Sequence, residues 1–236
     1  MGQHQVHVSL VSTNKQQSTF ATHLSTGLSG FFVSSFLLLV VMRLCFASNN
    51  SHKLDEIRPL LPAGTELLSL ADIGCQEELP ETQDTLVGNA RQKTLYVWEH
   101  YGVSCFADDT GLEVRALHGA PGVYSARYAG PQRVAADNVA KLLEELQGHS
   151  DRSAQFRTVV ALVLPDGTVH EFAGAVEGTI TETPSGDGGF GYDPVFQPLE
   201  GDGRTFAEMT TEEKNRISHR ARAVAGLVAF LSQAAS

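Results

Sequence analysis

The chain has 236 residues, a 42% hydrophobic fraction and a formal net charge of −10. That length and balance can bury a sizeable core and suit one large domain or two small lobes. The acidic surplus argues against general attraction to nucleic acid, which rests on phosphate neutralisation, so a polyanionic ligand must be held by a local basic cluster or by metal ions. Three well-separated cysteines, Cys45, Cys75 and Cys105, with no CxxC, argue against a disulfide framework or a zinc site and read as buried free thiols in a reducing cytoplasm.

Residues 1–30 are rich in Ser, Thr, Gln and His, with a single Lys and no acid. The apolar run 31–42 follows, shorter than the ~20 residues of a membrane-spanning helix and without the charge and cleavage pattern of a signal peptide. Residues 1–41 are therefore expected to be a disordered or membrane-seeking extension, or an artefact of start-site choice with Met42 the true start. Stable membrane association is not expected, and residues 42–236 form the expected domain.

From residue 42 the signals alternate. Residues 43–47 read as a strand. Residues 52–61 carry Leu54, Ile57 and Leu61 at helical spacing, and 65–70 suit a second strand. Residues 85–101 read as a long helix with Leu86, Ala90, Val97 and Tyr101 on one stripe. Two short strands are expected at 104–107 and 112–116, on either side of a polar turn. Residues 134–146 form an amphipathic helix stopped by Gly148. Residues 154–164 and 168–180 are β-rich runs joined by Pro165-Asp166-Gly167, a hairpin signal. A last helix starts near Thr210, where Thr210 and Glu213 have capping-box spacing, and runs through Ile217, Val224, Leu227 and Leu231. The expected fold is α/β with a mixed sheet.

Four polar segments carry the candidate chemistry. Ser48-Asn49-Asn50-Ser51-His52-Lys53 offers hydroxyls, amides, N–H groups and one ammonium to phosphate oxygens, though it equally suits an ordinary capped turn and lacks P-loop spacing. Asp108-Asp109-Thr110-Gly111 follows an apolar strand. Adjacent carboxylates there repel unless a cation compensates, so the segment reads either as a solvated turn or as a Mg²⁺ site. The acidic stretch 77–81, ending in Glu81, is a further source of a metal ligand. Gly186-Asp187-Gly188-Gly189-Phe190-Gly191-Tyr192-Asp193-Pro194 combines glycines, which let backbone approach a ligand, with aromatics that stack on a purine, though it also suits a flexible loop with a core Phe. Lys214, His219 and Arg220 are candidate phosphate or base contacts. On a straight helix Lys214 and His219 would lie roughly 140° apart, so they share a ligand only if the helix breaks between them or the ligand covers its end.

Taken together, these segments resemble the inosine/xanthosine triphosphate pyrophosphatase family. The likeness runs through Ala47-Ser48-Asn49-Asn50 with Lys53, Pro80-Glu81-Thr82, Asn89-Ala90, and Ala107-Asp108-Asp109-Thr110-Gly111. It continues in Gly119-Ala120-Pro121-Gly122-Val123-Tyr124-Ser125-Ala126-Arg127-Tyr128, the most specific stretch, then in residues 188–194 and Ser218-His219-Arg220. It covers essentially all of residues 42–236. Thr110 stands where the family usually has Ser, and Gly88 where it often has Glu.

The resemblance implies two lobes around a long curved mixed sheet with flanking helices, an active-site cleft between them, and a homodimer. It implies hydrolysis of ITP, dITP and XTP between the α- and β-phosphates. Asp109 would be proton acceptor and Mg²⁺ ligand, with Glu81 the second metal carboxylate. Residues 48–53 (Ser48, Asn49, Asn50, Ser51, His52 and Lys53), Thr110 and Lys214 would hold the triphosphate. Phe190, Gly191, Tyr192, Asp193, His219 and Arg220 would enclose the base. Mg²⁺ and the basic cluster would offset the substrate's charge while Asp109 activates water. A donor such as Arg220 would favour a 6-keto over a 6-amino purine. Two rivals remain. A Maf-type pyrophosphatase acting on dTTP, UTP or modified nucleotides does not explain the Phe190–Asp193 and Ser218–Arg220 segments. A non-catalytic nucleotide-binding module gains little from three carboxylates at Glu81, Asp108 and Asp109.

Overall fold

The computed structural model describes residues 42–234, and the expected amino-terminal extension lies outside them. Seven strands form one mixed sheet in the order β2-β1-β3-β5-β6-β7, with β4 also pairing with β3. They are β1 (Met42–Phe46), β2 (Thr65–Leu68), β3 (Cys105–Val114), β4 (Pro121–Gly122), β5 (Ser153–Val163), β6 (Val169–Ile180) and β7 (Phe196–Pro198). β1 runs parallel to β2 and β3, and the other pairings are antiparallel. The helices are α1 (Ser51–Ile57), α2 (Leu86–Tyr101), α3 (Ala135–Glu145), α4 (Thr211–Asn215) and α5 (His219–Ala234).

Local chemistry accounts for the element ends. The Thr85 side chain accepts from Gly88 N to open α2, and Gly102, at φ 65°, closes it in the left-handed region that suits glycine. Gly167 takes φ 82° in the β5–β6 turn, where Leu164 N donates to Thr168 O at 3.0 Å. The expected capping box at Thr210 and Glu213 is present at the start of α4.

Strand alternation then divides the core. On one face Phe46, Phe106, Val160 and Leu162 pack against Val224, Leu227 and Leu231 of α5. On the other, Cys105, Ala107, Val159, Ala161 and Val163 meet Leu86, Ala90 and Val97 of α2. Toward the far ends of the same long strands a separate core gathers Val114, Phe156, Val176 and Ile180 with Val139 and Leu142 of α3, plus Phe196 and Phe206. The sheet thus packs on both faces at one end and carries a separate core toward the other, in keeping with the two-lobed architecture that the resemblance implied. Among the described residues no helix is long and apolar enough to cross a membrane.

Two expectations are corrected. The runs 104–107 and 112–116 belong to one ten-residue strand, β3, and the acidic segment is not a turn. Asp108, Asp109 and Thr110 pair in register with Val160, Val159 and Thr158 of β5. The last helix is also two helices: α4 ends at Asn215 and α5 begins at His219, with Ser218 N bonded to Lys214 O at 2.9 Å.

Candidate active site

β3 changes partner along one edge. It pairs with β1 at Cys105 and Phe106 and with β4 at Leu112 and Glu113. Neither strand pairs with the stretch between. Ala47 N reaches Phe106 O at 2.8 Å, and the Asp108 carbonyl accepts from Lys93 Nζ at 2.7 Å. A cleft of about 510 Å³ opens here, within the usual range of ligand sites.

Because strand neighbours face opposite ways, the two adjacent aspartates do not share an environment. Asp108 turns toward α1 and α5 and is fully buried. Its Oδ1 is 2.8 Å from Lys53 Nζ, and its Oδ2 accepts from Arg220 Nε at 3.0 Å and Thr110 Oγ1 at 3.3 Å. Burial alone would raise its pKa, but Lys53, Arg220 and Lys93 together outweigh that and hold the carboxyl well below the usual range. Asp109 turns toward α2. Asn89 Nδ2 donates to its Oδ2 at 3.1 Å, and Lys93 Nζ lies 3.7 Å from its Oδ1. Here burial prevails over Lys93 and Lys53, and the pKa is raised. Lys93 Nζ also bonds Glu81 Oε1 at 2.8 Å, so one ammonium gathers the two expected metal carboxylates.

The cations on the opposite wall are already matched by carboxylates. Lys214 Nζ is 2.6 Å from both Glu56 Oε1 and Asp193 Oδ2, and Arg220 Nη1 also bonds Glu56. All three Arg220 nitrogens already donate, to Asp108, Glu56 and Thr110. His219 is buried and lines the cleft, with its ring stacked on Phe156 at 4.6 Å. Burial, then the charges of Arg220 and Lys214, push its pKa well down, so the ring is neutral, and its Nδ1 has no hydrogen-bond partner. Gly174 allows this packing, since a Cβ there would collide with the His219 carbonyl and the Ala223 backbone nitrogen. Phe190 and His52 stack nearly parallel across the mouth, at 5.5 Å and 16°.

The structure brings Ser48, Asn49, Asn50, His52, Lys53, Glu81, Asp109, Thr110, Phe190, Gly191, Tyr192, Asp193, Lys214, His219 and Arg220 to one cleft. Ser51 is exposed on the first turn of α1 and does not line it. Tyr192 serves the core as well, its OH bonding Ser125 O at 2.9 Å. Three residues escaped the sequence reading as site residues: Glu56, Asn89 and Lys93. Their signal was periodic: Asn89 and Lys93 interrupt the buried stripe Leu86, Ala90, Val97 of α2, and Glu56 lies three residues from Lys53 on one face of α1.

Fold and cleft define a two-lobed α/β protein whose cleft combines matched cations with two carboxylates gathered on one lysine. The Ham1 family model matches residues 44–230, and the chain belongs to that family. It is 57% identical over 190 residues to a dITP/XTP pyrophosphatase of Porphyromonas gingivalis, covering 80% of this chain and 97% of that one. It is 54% identical over 191 residues to a dITP/XTP pyrophosphatase of Flavobacterium johnsoniae, covering 81% and 98%. Among solved structures, the Ham1 protein of Staphylococcus aureus superposes with a TM-score of 0.74 at 37% identity, over 81% of this chain and 98% of that one.

Proposed function

We propose that this chain is a Mg²⁺-dependent nucleoside triphosphate pyrophosphohydrolase that removes ITP, dITP and XTP from the nucleotide pool. Water attacks the α-phosphorus, the bond to the α,β-bridging oxygen breaks, and nucleoside monophosphate and pyrophosphate leave. The observation that carries the reading is Asp109: a carboxylate with a burial-raised pKa, on a rigid central strand, in one cleft with Phe190 and His219. The names of the relatives support the substrate class.

Asp109 accepts the proton of the attacking water, and its raised pKa brings it closer to neutrality than an exposed aspartate. Asn89 fixes the orientation of its carboxylate. Lys53, Ser48 and Asn50 take phosphate oxygens, and Phe190 stacks on the base. His219, whose Nδ1 has no partner, and Arg220, whose Nη1 and Nη2 each keep a further N–H, both line the cleft and serve the base edge. Among the described residues no group of three or more His, Cys, Asp or Glu side chains stands together as a metal cage. The pair Asp109 and Glu81 nonetheless fits Mg²⁺, which takes one or two carboxylates and fills its shell with waters and substrate phosphates. When bound, the ion offsets phosphate charge. A cytoplasmic homodimer is the assembly this reading carries.

The test is pyrophosphate release from XTP, ITP, dITP, dTTP, UTP, ATP and GTP with and without Mg²⁺. Mg²⁺-dependent release from the first three supports the proposal. Preference for dTTP or UTP assigns a Maf-type activity, and binding without release assigns a binding module.

A further inference from the structure

The stretch 119–128, the most specific in the sequence, has no part in the chemistry above. It forms β4 and the turn that follows, and Ser125, Ala126 and Arg127 line the cavity. The cations lining that cavity are Lys53, Lys93, Arg127, Arg133, Lys214 and Arg220. Lys53 is matched by Asp108, Lys93 by Glu81, Lys214 by Glu56 and Asp193, and Arg220 by Asp108 and Glu56. Arg133 lies 4.0 Å from Glu81. Arg127 has no carboxylate partner among the described residues. Its guanidinium rests over the exposed ring of Tyr124, 5.1 Å from the centroid.

The backbone beneath this unmatched charge is held firmly. Ser125 Oγ accepts from Leu112 N at 2.9 Å and donates to Gly122 O at 2.6 Å. Buried Asn138 of α3 donates to Ala126 O at 3.1 Å and accepts from Ala129 N at 2.7 Å. Lys141 Nζ bonds Tyr128 O at 2.9 Å. Three side chains thus fix the turn on either side of residue 127, while residue 127 itself is left with free donors. A guanidinium presents five N–H groups in a fork that matches phosphate oxygens. Stacking on an aromatic face keeps it extended without using those donors.

We propose that Arg127 binds the terminal phosphates of the substrate, the half that leaves as pyrophosphate. Arg133, six residues further on and lining the same cavity, lies 4.0 Å from Glu81, while on the other side of residue 127 Ser125 O accepts from Tyr192 OH at 2.9 Å, so the stretch lines the cleft between the carboxylates and the base loop. A triphosphate entering the cleft meets five cations that are already partnered and one that is not. The inference rests on the pyrophosphohydrolase reading for the direction of cleavage.

The experiment compares wild type, Arg127→Ala and Arg127→Lys in three measurements: KM and kcat for ITP, calorimetric affinity for inorganic pyrophosphate with Mg²⁺, and affinity for IMP. Arg127→Ala should weaken pyrophosphate binding and raise KM for ITP by about tenfold or more, the size of a lost charge-assisted contact. IMP affinity and melting temperature should stay at wild-type values, and Arg127→Lys should fall between. Unchanged pyrophosphate affinity in Arg127→Ala, or equal losses for IMP and pyrophosphate, overturns the proposal, as does a wild type that binds no pyrophosphate. A wild type that binds pyrophosphate but releases none from ITP or XTP overturns the functional reading instead, and the calorimetry still decides Arg127.

Discussion

Replacing Asp108 with Asn changes one oxygen for nitrogen and tests the buried ion network directly. Asp108 is fully buried, and its two oxygens accept from Lys53, Arg220 and Thr110. In the variant one terminal atom becomes a donor, facing neighbours that are themselves donors. Arg220 keeps Glu56, but Lys53 loses its ion-pair partner while remaining mostly covered. Removing one member of a buried pair costs about 3–5 kcal/mol, mainly through the charge left behind. For a domain of this size each kcal/mol moves the melting temperature by about 2–4 °C, so Asp108→Asn should melt roughly 6–20 °C below wild type. Circular dichroism at neutral pH measures this. The double variant Asp108→Asn/Lys53→Met removes the stranded charge and should recover much of the loss. A single variant melting within about 2 °C of wild type, or a double variant no more stable than the single, would refute the reasoning.

Asp109→Asn should lower kcat by at least about 100-fold without lowering the melting temperature, because burial already penalises the ionised carboxylate; near-normal kcat removes Asp109 as the base. Glu56 is held below its ordinary pKa of 4.5, since Arg220 and Lys214 outweigh the opposing effect of burial. Its stabilisation is therefore complete above that value and is lost as pH falls through the lower folded-state pKa. Glu56→Gln should accordingly melt below wild type at pH 7, with the gap narrowing in acid; a gap independent of pH contradicts the assignment. Glu81→Gln should raise the Mg²⁺ concentration for half-maximal activity by about tenfold or more, with activity restored by excess Mg²⁺. An unchanged Mg²⁺ titration excludes Glu81 as a ligand.

Much of the fold was readable because its signals are local. The Thr85 cap, the Asp-Gly turn and the Thr210–Glu213 box act over a few residues, and the stripe of α2 needs no partner to be seen. A single last helix was expected, and its break between α4 and α5 is one of the two ways in which Lys214 and His219 could share a ligand. What escaped notice depends on distant partners. Asp108-Asp109-Thr110-Gly111 has turn composition, and only pairing with β5, together with cations from α1, α2 and α5, makes it the middle of a strand. For the same reason the expected repulsion between neighbouring carboxylates does not arise, since alternation sends them to opposite faces of the sheet. Glu56 and Lys93 look like ordinary surface charges until the tertiary fold buries them.

The matched cations of the cleft also bear on competition. On the proposed function the substrate is a free nucleotide, and nucleic acid polymers carry the same phosphate chemistry. This protein carries a net charge of −10 and keeps Lys53, Lys93, Lys214 and Arg220 paired within the chain. A passing nucleic acid strand would find these four charges already neutralised, with correspondingly little counterion release to gain from them. A monomeric nucleotide can enter the cleft and meet those groups at hydrogen-bonding distance, where shape decides access. Selectivity for the monomer over the polymer is thus a property of how the lysines and arginines are stored when nothing is bound.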